Sequence, residues 1–385
     1  MKVSDVSTEK RIKRNLDVTS LSIQSWDAGN LYPQKLSDAI AESGTALSCL
    51  EVYSSFIRGA GFPTEIADGV INRDGQTLND ILALNAQDRA KFGGFAVHVN
   101  YNEFYEVAEF NYVPFEHTRL GIPNKETGEV SEIAINSDWA GLRIRPDKKN
   151  TTYLKLFNPK KQVVAAQMEA AGGVEYYKGQ LLWVSNAYGL SYPLPICDAI
   201  ITDINSEGGV ATVKNRNVKN NFFGAGIFIV EAEQSDNPDN LENASRHAQD
   251  ENEESNLVKQ IKKMQTDRNS VNVAVLEIDR GATPPKFEKF SGMNYDGAFQ
   301  KTEDSIQKNI GRRFKQPPIL RCEEVATGFA TEAMQDAYNF YNSVTQDERG
   351  ELERAYTRLL GAYTNYLDLT NFKIIPKSFT NATNQ

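Results

Sequence analysis

Histidine and cysteine are nearly absent from this chain, with three of each among 385 residues. Cys49, Cys197 and Cys322 lie far apart, which gives neither a disulfide framework nor a zinc-binding spacing. His98, His117 and His247 form no His-x-x-x-His pair, so the zinc-hydrolase pattern is missing. His98 sits in the alternating run Val97-His98-Val99 and reads as a sheet-face residue, not a base. No run of eighteen apolar residues occurs, so no membrane span is predicted. The first sixteen residues carry charge but no apolar core, which predicts no secretory signal. Cytosolic synthesis follows, so triplets such as Asn243-Ala244-Ser245 carry no weight as glycosylation sites. Positive charge is also scarce: 42 Lys and Arg face 51 Asp and Glu, a net charge of -9. That balance argues against wrapping DNA with a strongly basic surface. It leaves room for a local basic stripe, or for a conduit that must not hold DNA tightly.

Catalytic signatures are incomplete as well. Gly189-Leu190-Ser191-Tyr192-Pro193 begins like a nucleophile elbow, but Pro193 stands where the closing glycine belongs. Gly224-Ala225-Gly226 is a fragment of a dinucleotide fingerprint, with Ile229 at the third glycine. There is no Walker lysine motif, so any ATP hydrolysis must come from another protein. Pairs such as Glu323-Glu324 mean nothing alone. The expectation is a protein that is not an enzyme, with no catalytic residues, no metal and no cofactor.

What is present is ordinary globular material: 40% hydrophobic and 10% aromatic residues, enough for one large or two to three smaller domains. Residues 1–30 are polar and aperiodic and read as a flexible arm. Leu36, Ile40, Leu47 and Leu50 fall at helical spacing, which predicts one or two helices between Lys35 and Phe56. A further helix is expected over Leu78–Phe92. The period then changes to two. Phe95, Val97, Val99 and Tyr101 alternate, Val107 to Phe115 do so less cleanly, and Asn102-Glu103 supplies a turn, so a β-hairpin is predicted. Glu132–Ile135, Tyr153–Phe157 and Gly179–Val184 read as further strands. Ile196, Ile200 and Ile204 then line a helix that continues past Gly208-Gly209 toward Lys219. Phe222–Val230 and Val271–Ile278 read as strands, with a possible helix at Leu257–Met264. Between them, residues 231–256 hold nine carboxylates against the single Arg246. Such a run is either a solvated loop or a docking surface for a basic partner.

The most informative stretch runs from Gln300 to Leu360. Ile306, Ile310 and Phe314 recur every four residues, so one helix face is apolar. Lys301, Lys308, Arg312 and Lys315 occupy roughly the opposite side. Pro317-Pro318 stops the helix, and a loop through Thr327-Gly328 precedes a helical region over 331–366. Basic residues on the polar side of an amphipathic helix are solvated or paired in many proteins, and a proline loop is an ordinary helix connection. Both readings stay open beside the sharper one below.

Three segments, in this order, resemble the portal proteins of tailed bacteriophages, specifically the shorter portals of long non-contractile-tailed phages and their prophage relatives. Ala187–Ile200 (AYGLSYPLPICDAI) is similar to the Tyr-Gly-x-Pro start of a stem helix. Asn221–Val230 (NFFGAGIFIV) is similar to a Phe-x-Asn-Gly turn into a strand, with Ala225 at a departing position. Ile310–Leu320 (IGRRFKQPPIL) resembles an Ile-Ala-x-x-Phe-x-Val-Pro-Pro signature, with Gly311 where Ala is common and Gln316 where Val is usual.

The resemblance implies an α+β, portal-like fold. Residues 31–194 would be a β-rich wing, 195–219 the first stem helix and 220–294 a small α/β clip. Residues 295–314 would form the second stem helix, 315–330 a tunnel loop, and 331–385 wing helices with a minimal crown. It implies a ring, typically a homododecamer, at the portal vertex of a virion assembled in the host cytoplasm. Double-stranded DNA would pass through it during packaging and ejection. Its partners would be the terminase large subunit, a head-tail adaptor, the major capsid protein and scaffold, with no membrane. Lys301, Lys308, Arg312 and Lys315 would line the channel, and Gln316, Pro317, Pro318, Arg321, Thr327 and Gly328 would form the tunnel loop. Ile200, Ile204, Ile306, Ile310 and Phe314 would pack between subunits. The segment 297–314 would be ~27 Å long as a helix, room for several charge rings. The rival reading is a non-portal virion component that binds carbohydrate or protein, or an unrecognised carbohydrate-active hydrolase, built on the β-rich part.

Overall fold

A computed structural model describes residues 17–27, 29–63, 67–124, 126–187, 189–219, 226–231, 273–278, 295–323, 331–364, 369–370 and 372–379. The chain divides into two units. The first comprises Met1–Asn205 with Ser305–Gln385, and the second is Ser206–Asp304.

The first unit is built on a six-stranded mixed sheet. Its strands are β3 (Gly94–Tyr101), β4 (Val107–Val113), β5 (Thr118–Leu120), β6 (Glu132–Ile135), β7 (Thr152–Leu156) and β8 (Gln180–Ser185). They lie in the order β4-β3-β8-β7-β6-β5. The predicted hairpin is β3 with β4, and Asn102 turns it by accepting from the backbone N–H groups of Phe104 and Glu106. Only β7 and β8 run parallel. Parallel neighbours need a crossover connection, and helix Lys161–Ala171 supplies it through Val164 and Met168, both buried. The sequence reading did not anticipate that helix.

Helices α1 (Tyr32–Ala41), α2 (Gly44–Arg58) and α3 (Leu78–Phe92) precede the sheet, close to where apolar periodicity put them. Helix α3 opens with a capping box between Thr77 and Asp80 and closes on Gly93, whose φ of 79° suits a residue without a side chain. The helix Lys161–Ala171 is α4. After the 3-10 turn Ile196–Ile200 comes α5 (Ile201–Lys219), which runs through Gly208-Gly209. Helix α6 spans Tyr295–Arg313. The expected helical run over 331–366 is two helices, α7 (Thr331–Val344) and α8 (Gln346–Leu360), parted at the buried Thr345. They pack on α2 and α3. Tyr341 meets the Phe56 ring edge-on at 4.9 Å, the Tyr356 hydroxyl accepts from Asn85 at 2.7 Å, and Arg89 pairs with Glu351 at 2.6 Å.

Residues 17–30 correct the expectation of a flexible arm. β1 (Asp17–Val18) pairs with β2 (Ile23–Gln24), and Ile23 and Trp26 are fully buried. Trp26 stacks on Tyr192 at 4.5 Å and meets Phe115 edge-on at 5.7 Å. The reading failed because only these few anchors, spaced without a period, hold an otherwise polar segment. Arg119 finishes the attachment. Its fully buried guanidinium donates to Asn30 Oδ1 and to the carbonyls of Asn30, Glu116 and Thr118, and lies over Trp139 at 5.0 Å.

In the second unit, β9 (Gly226–Glu231) and β10 (Val273–Ile278) pair in parallel, with Gly226 opposite Val273. The expected starts of these strands, residues 222–225 and 271–272, lie outside the described residues. Lys214 and Glu303 form an ion pair. The acidic run beyond Glu231 and the possible helix at Leu257–Met264 lie outside the described residues.

Asp88, buried in α3, accepts hydrogen bonds from Phe115 N–H at 2.8 Å and the Tyr112 hydroxyl at 3.0 Å. Burial nonetheless raises its pKa from near 3.8 to about 7. The folded state therefore holds a proton that the unfolded chain has lost, and this group's contribution to stability is complete below about pH 4 and fades as pH rises through 7. Asp88→Asn keeps a carbonyl acceptor for both donors and cannot ionise. Its melting temperature should vary less between pH 5 and 8 than that of the parent protein. Equal slopes in the two proteins would show that Asp88 is ionised throughout.

Candidate nucleic-acid interface

The end of α6 that belongs to the first unit, from Ser305, has two unlike faces. Ile306, Ile310 and Phe314 are buried, with Ile310 at 0% exposure, while Lys308 and Arg312 are exposed. Lys315, just past the last turn, is exposed as well. Among the described residues, Lys308, Arg312 and Lys315 have no carboxylate partner. Arg313 is held by its own chain, its Nε donating to the Ile196 carbonyl at 3.0 Å. Lys301 lies in the second unit, where it is exposed. Cations at this terminus also complement the partial negative charge of the last carbonyl groups.

How α6 stops decides where those cations stand. Gln316 N–H bonds to the Gly311 carbonyl at 3.2 Å and Lys315 N–H to that of Arg312 at 3.0 Å, the paired closure of a Schellman turn. Lys315 takes the left-handed position with φ 54°, where glycine is usual. Pro317 follows and cannot continue a helix. The Tyr341 hydroxyl donates to the Phe314 carbonyl at 3.0 Å, and Gln316 Nε2 donates to the Cys49 carbonyl at 2.5 Å from a buried position.

One sequence expectation gives way here. Ile200, Ile204, Ile306, Ile310 and Phe314 were expected between subunits, yet all five are buried in the chain's own core. Periodicity reveals an apolar face but not what covers it. The expected tunnel loop is partly packed over its described part. Gln316 is buried, Pro317 is half-buried, and Pro318–Arg321 forms a 3-10 turn with Ile319 inside; Lys315, Pro318 and Cys322 are exposed. Arg321 pairs with Glu323 at 2.8 Å and lies flat on the backbone of α6. A Cβ on Gly311 would fall 1.4 Å from Arg321 Nη1. The glycine that departs from the portal signature thus makes room for an arginine ten residues on. Thr327 and Gly328 lie outside the described residues.

No family model matches this chain, and no curated protein does. Among solved structures, it superposes on a chain from the virion of a native gene transfer agent particle with a TM-score of 0.50 at 11% identity, over 86% of this chain and 82% of that one. Chains from the neck of an empty particle and of a native one, described with C6 and C12 symmetry, superpose at 0.49 and 0.48, with the same identity and coverage. The first likeness establishes a shared fold across nearly the whole of both chains. The other two carry no further weight.

The Gly311–Arg321 contact makes a measurable coupling. Alanine favours a helix over glycine by about 1 kcal/mol, but here its methyl group must displace a guanidinium. Gly311→Ala should therefore be more favourable in an Arg321→Ala background than in the parent, by about 0.5–3 kcal/mol in a urea-denaturation cycle. Additive effects would place Arg321 away from the helix.

Proposed function

We propose that this chain is a portal-type ring subunit that conducts double-stranded DNA at one vertex of a phage-like particle. The observation that carries this reading is the fold shared with a chain of a gene transfer agent virion along most of both lengths. The order of the three portal-like segments agrees with it. So does the exposed, unpaired set Lys308, Arg312 and Lys315, set at one end of a helix whose other side is buried.

The electrostatics suit a conduit. A cation that neutralises a phosphate releases condensed counterions, so many such contacts bind DNA firmly and with steep salt dependence. A translocating strand needs contacts that are weak and replaceable. Three cations per subunit, repeated by ring symmetry on a protein of net charge -9, would give thin basic rings with little else to hold phosphate. With a Debye length of ~8 Å in physiological salt, such rings act only on DNA that is already inside. Twelve subunits, with the terminase large subunit, a head-tail adaptor, the major capsid protein and scaffold as partners, belong to this reading. So does location at the virion vertex after assembly in the host cytoplasm.

Negative-stain images of the purified protein should show rings with a central hole, and light scattering should report about a dozen chains. A monomer or trimer without a hole would instead favour a non-portal virion component or a hydrolase. Lys308→Gln with Arg312→Gln should leave the rings intact while changing the length or retention of packaged DNA. Unaltered packaging would place those two side chains away from the DNA path.

A further inference from the structure

The burial of the apolar stripe of α6 leaves open what holds one copy to the next, and the loop between β6 and β7 offers an answer. Leu142 and Ile144 are 88% and 66% exposed. Single exposed aliphatics are normal, but these two stand on backbone that is fixed in place. The Asp138 carboxylate accepts from the N–H groups of Leu142, Arg143 and Ile144 at 2.9, 2.8 and 3.2 Å. Trp139 is buried beneath, donating to the His117 carbonyl at 2.8 Å, and Asn150 closes the far side on the Arg145 carbonyl at 2.9 Å. Arg143, Arg145, Lys148 and Lys149 belong to the same loop and are all exposed. These cations outnumber the loop's two carboxylates, Asp138 and Asp147, so the loop is net positive. A preorganised apolar tip loses little entropy on docking.

The same unit carries a counterpart. Helices α1 and α2 enclose an apolar groove floored by Ile40 and Leu50 and edged by Ala41 and Leu47, with Leu47 40% exposed. Glu51 lines it, and Asp38 and Glu42 are exposed on α1 beside the lining residues Ser37 and Ala41. Lys91 is the one cation among the lining residues. Glu51 and Lys91 balance within the lining, and the flanking Asp38 and Glu42 leave the α1 side net acidic where the loop is basic. The loop belongs to β6 and β7, whereas α3, beside the groove, packs on β3 and β4, and β8 stands between the two pairs.

We infer that the Leu142–Ile144 tip of one copy seats in the α1–α2 groove of a second copy of this chain. Such a contact joins two different patches and is heterologous, the kind that closes into a ring when the rotation between copies allows. The inference rests on the ring reading above and supplies the contact that the stripe of α6 does not.

The test uses the full chain in two variants. Leu142→Ser with Ile144→Ser removes the tip, and Leu47→Arg fills and charges the groove. Both change exposed side chains, and circular dichroism checks that both fold. By mass photometry, each variant alone should assemble at least tenfold more weakly than the parent, whereas an equimolar mixture should form one-to-one dimers, since each pair keeps one intact tip and one intact groove. Parent-like assembly of either variant, or a mixture that stays monomeric, would overturn the inference while leaving the ring reading untouched. A parent protein that never assembles would overturn both.

Discussion

One hydrogen bond ties the end of helix α6 to the helices of its own unit: the hydroxyl of Tyr341, on α7, donating to the carbonyl of Phe314. The last carbonyls of any helix lack partners within it, and this terminus is buried against α2 and α7, where water cannot serve. Tyr341 supplies one donor, the Gln316 side chain binds the Cys49 carbonyl, and the turn through Lys315 supplies N–H groups to the Gly311 and Arg312 carbonyls. The left-handed residue costs about 1–2 kcal/mol in a side-chain-bearing amino acid, a strain the surrounding contacts must offset. In return this end of the helix is anchored to α2 and α7, with Lys308 and Arg312 on its exposed side.

The same economy recurs at two buried arginines. Arg119 and Arg349 both sit in the core without a carboxylate in hydrogen-bonding contact, and both are satisfied chiefly by carbonyl groups. Arg119 ties residues 30–34 to β5. Arg349 donates to the Phe56 carbonyl at the end of α2 and to the Asn342 carbonyl at the end of α7. These are sites where helix ends concentrate negative potential. Burial lowers the pKa of both guanidinium groups, that of Arg119 to about 10, which still leaves it charged near neutral pH. Each joins segments far apart in sequence, so the frame from which the helix end and the β6–β7 loop project is tied by cations rather than by apolar burial alone.

Much of that frame was legible in the sequence because its amphipathic periods are clean. The hairpin around Asn102, the strand Glu132–Ile135 and the helix Leu78–Phe92 emerge where alternation or helical spacing put them. The failures have physical causes. The crossover α4 buries only Val164 and Met168, too few apolar positions to stand out among Lys, Gln and Ala. The segment from Asp17 to Asn30 is held by two buried anchors and by an arginine almost ninety residues away, and no local pattern encodes that. The basic residues of α6 were legible as a set. The role of Arg321 was not, because its contact with Gly311 depends on the turn that brings it back.

The internal use of the stripe Ile306-Ile310-Phe314 changes what an assembly of this chain would require. Had that stripe lain between copies, the direction of Lys308 and Arg312 would have been set by neighbours and would exist only in the complete ring. Because the stripe is already covered by the chain's own helices, the exposed basic face is a property of the single subunit. Assembly then only repeats a charge pattern that folding has placed. Contacts between copies are free to be polar-rimmed and modest in size, since they do not have to complete a hydrophobic core. In the proposed ring, the number of subunits could vary without altering the basic face of each subunit.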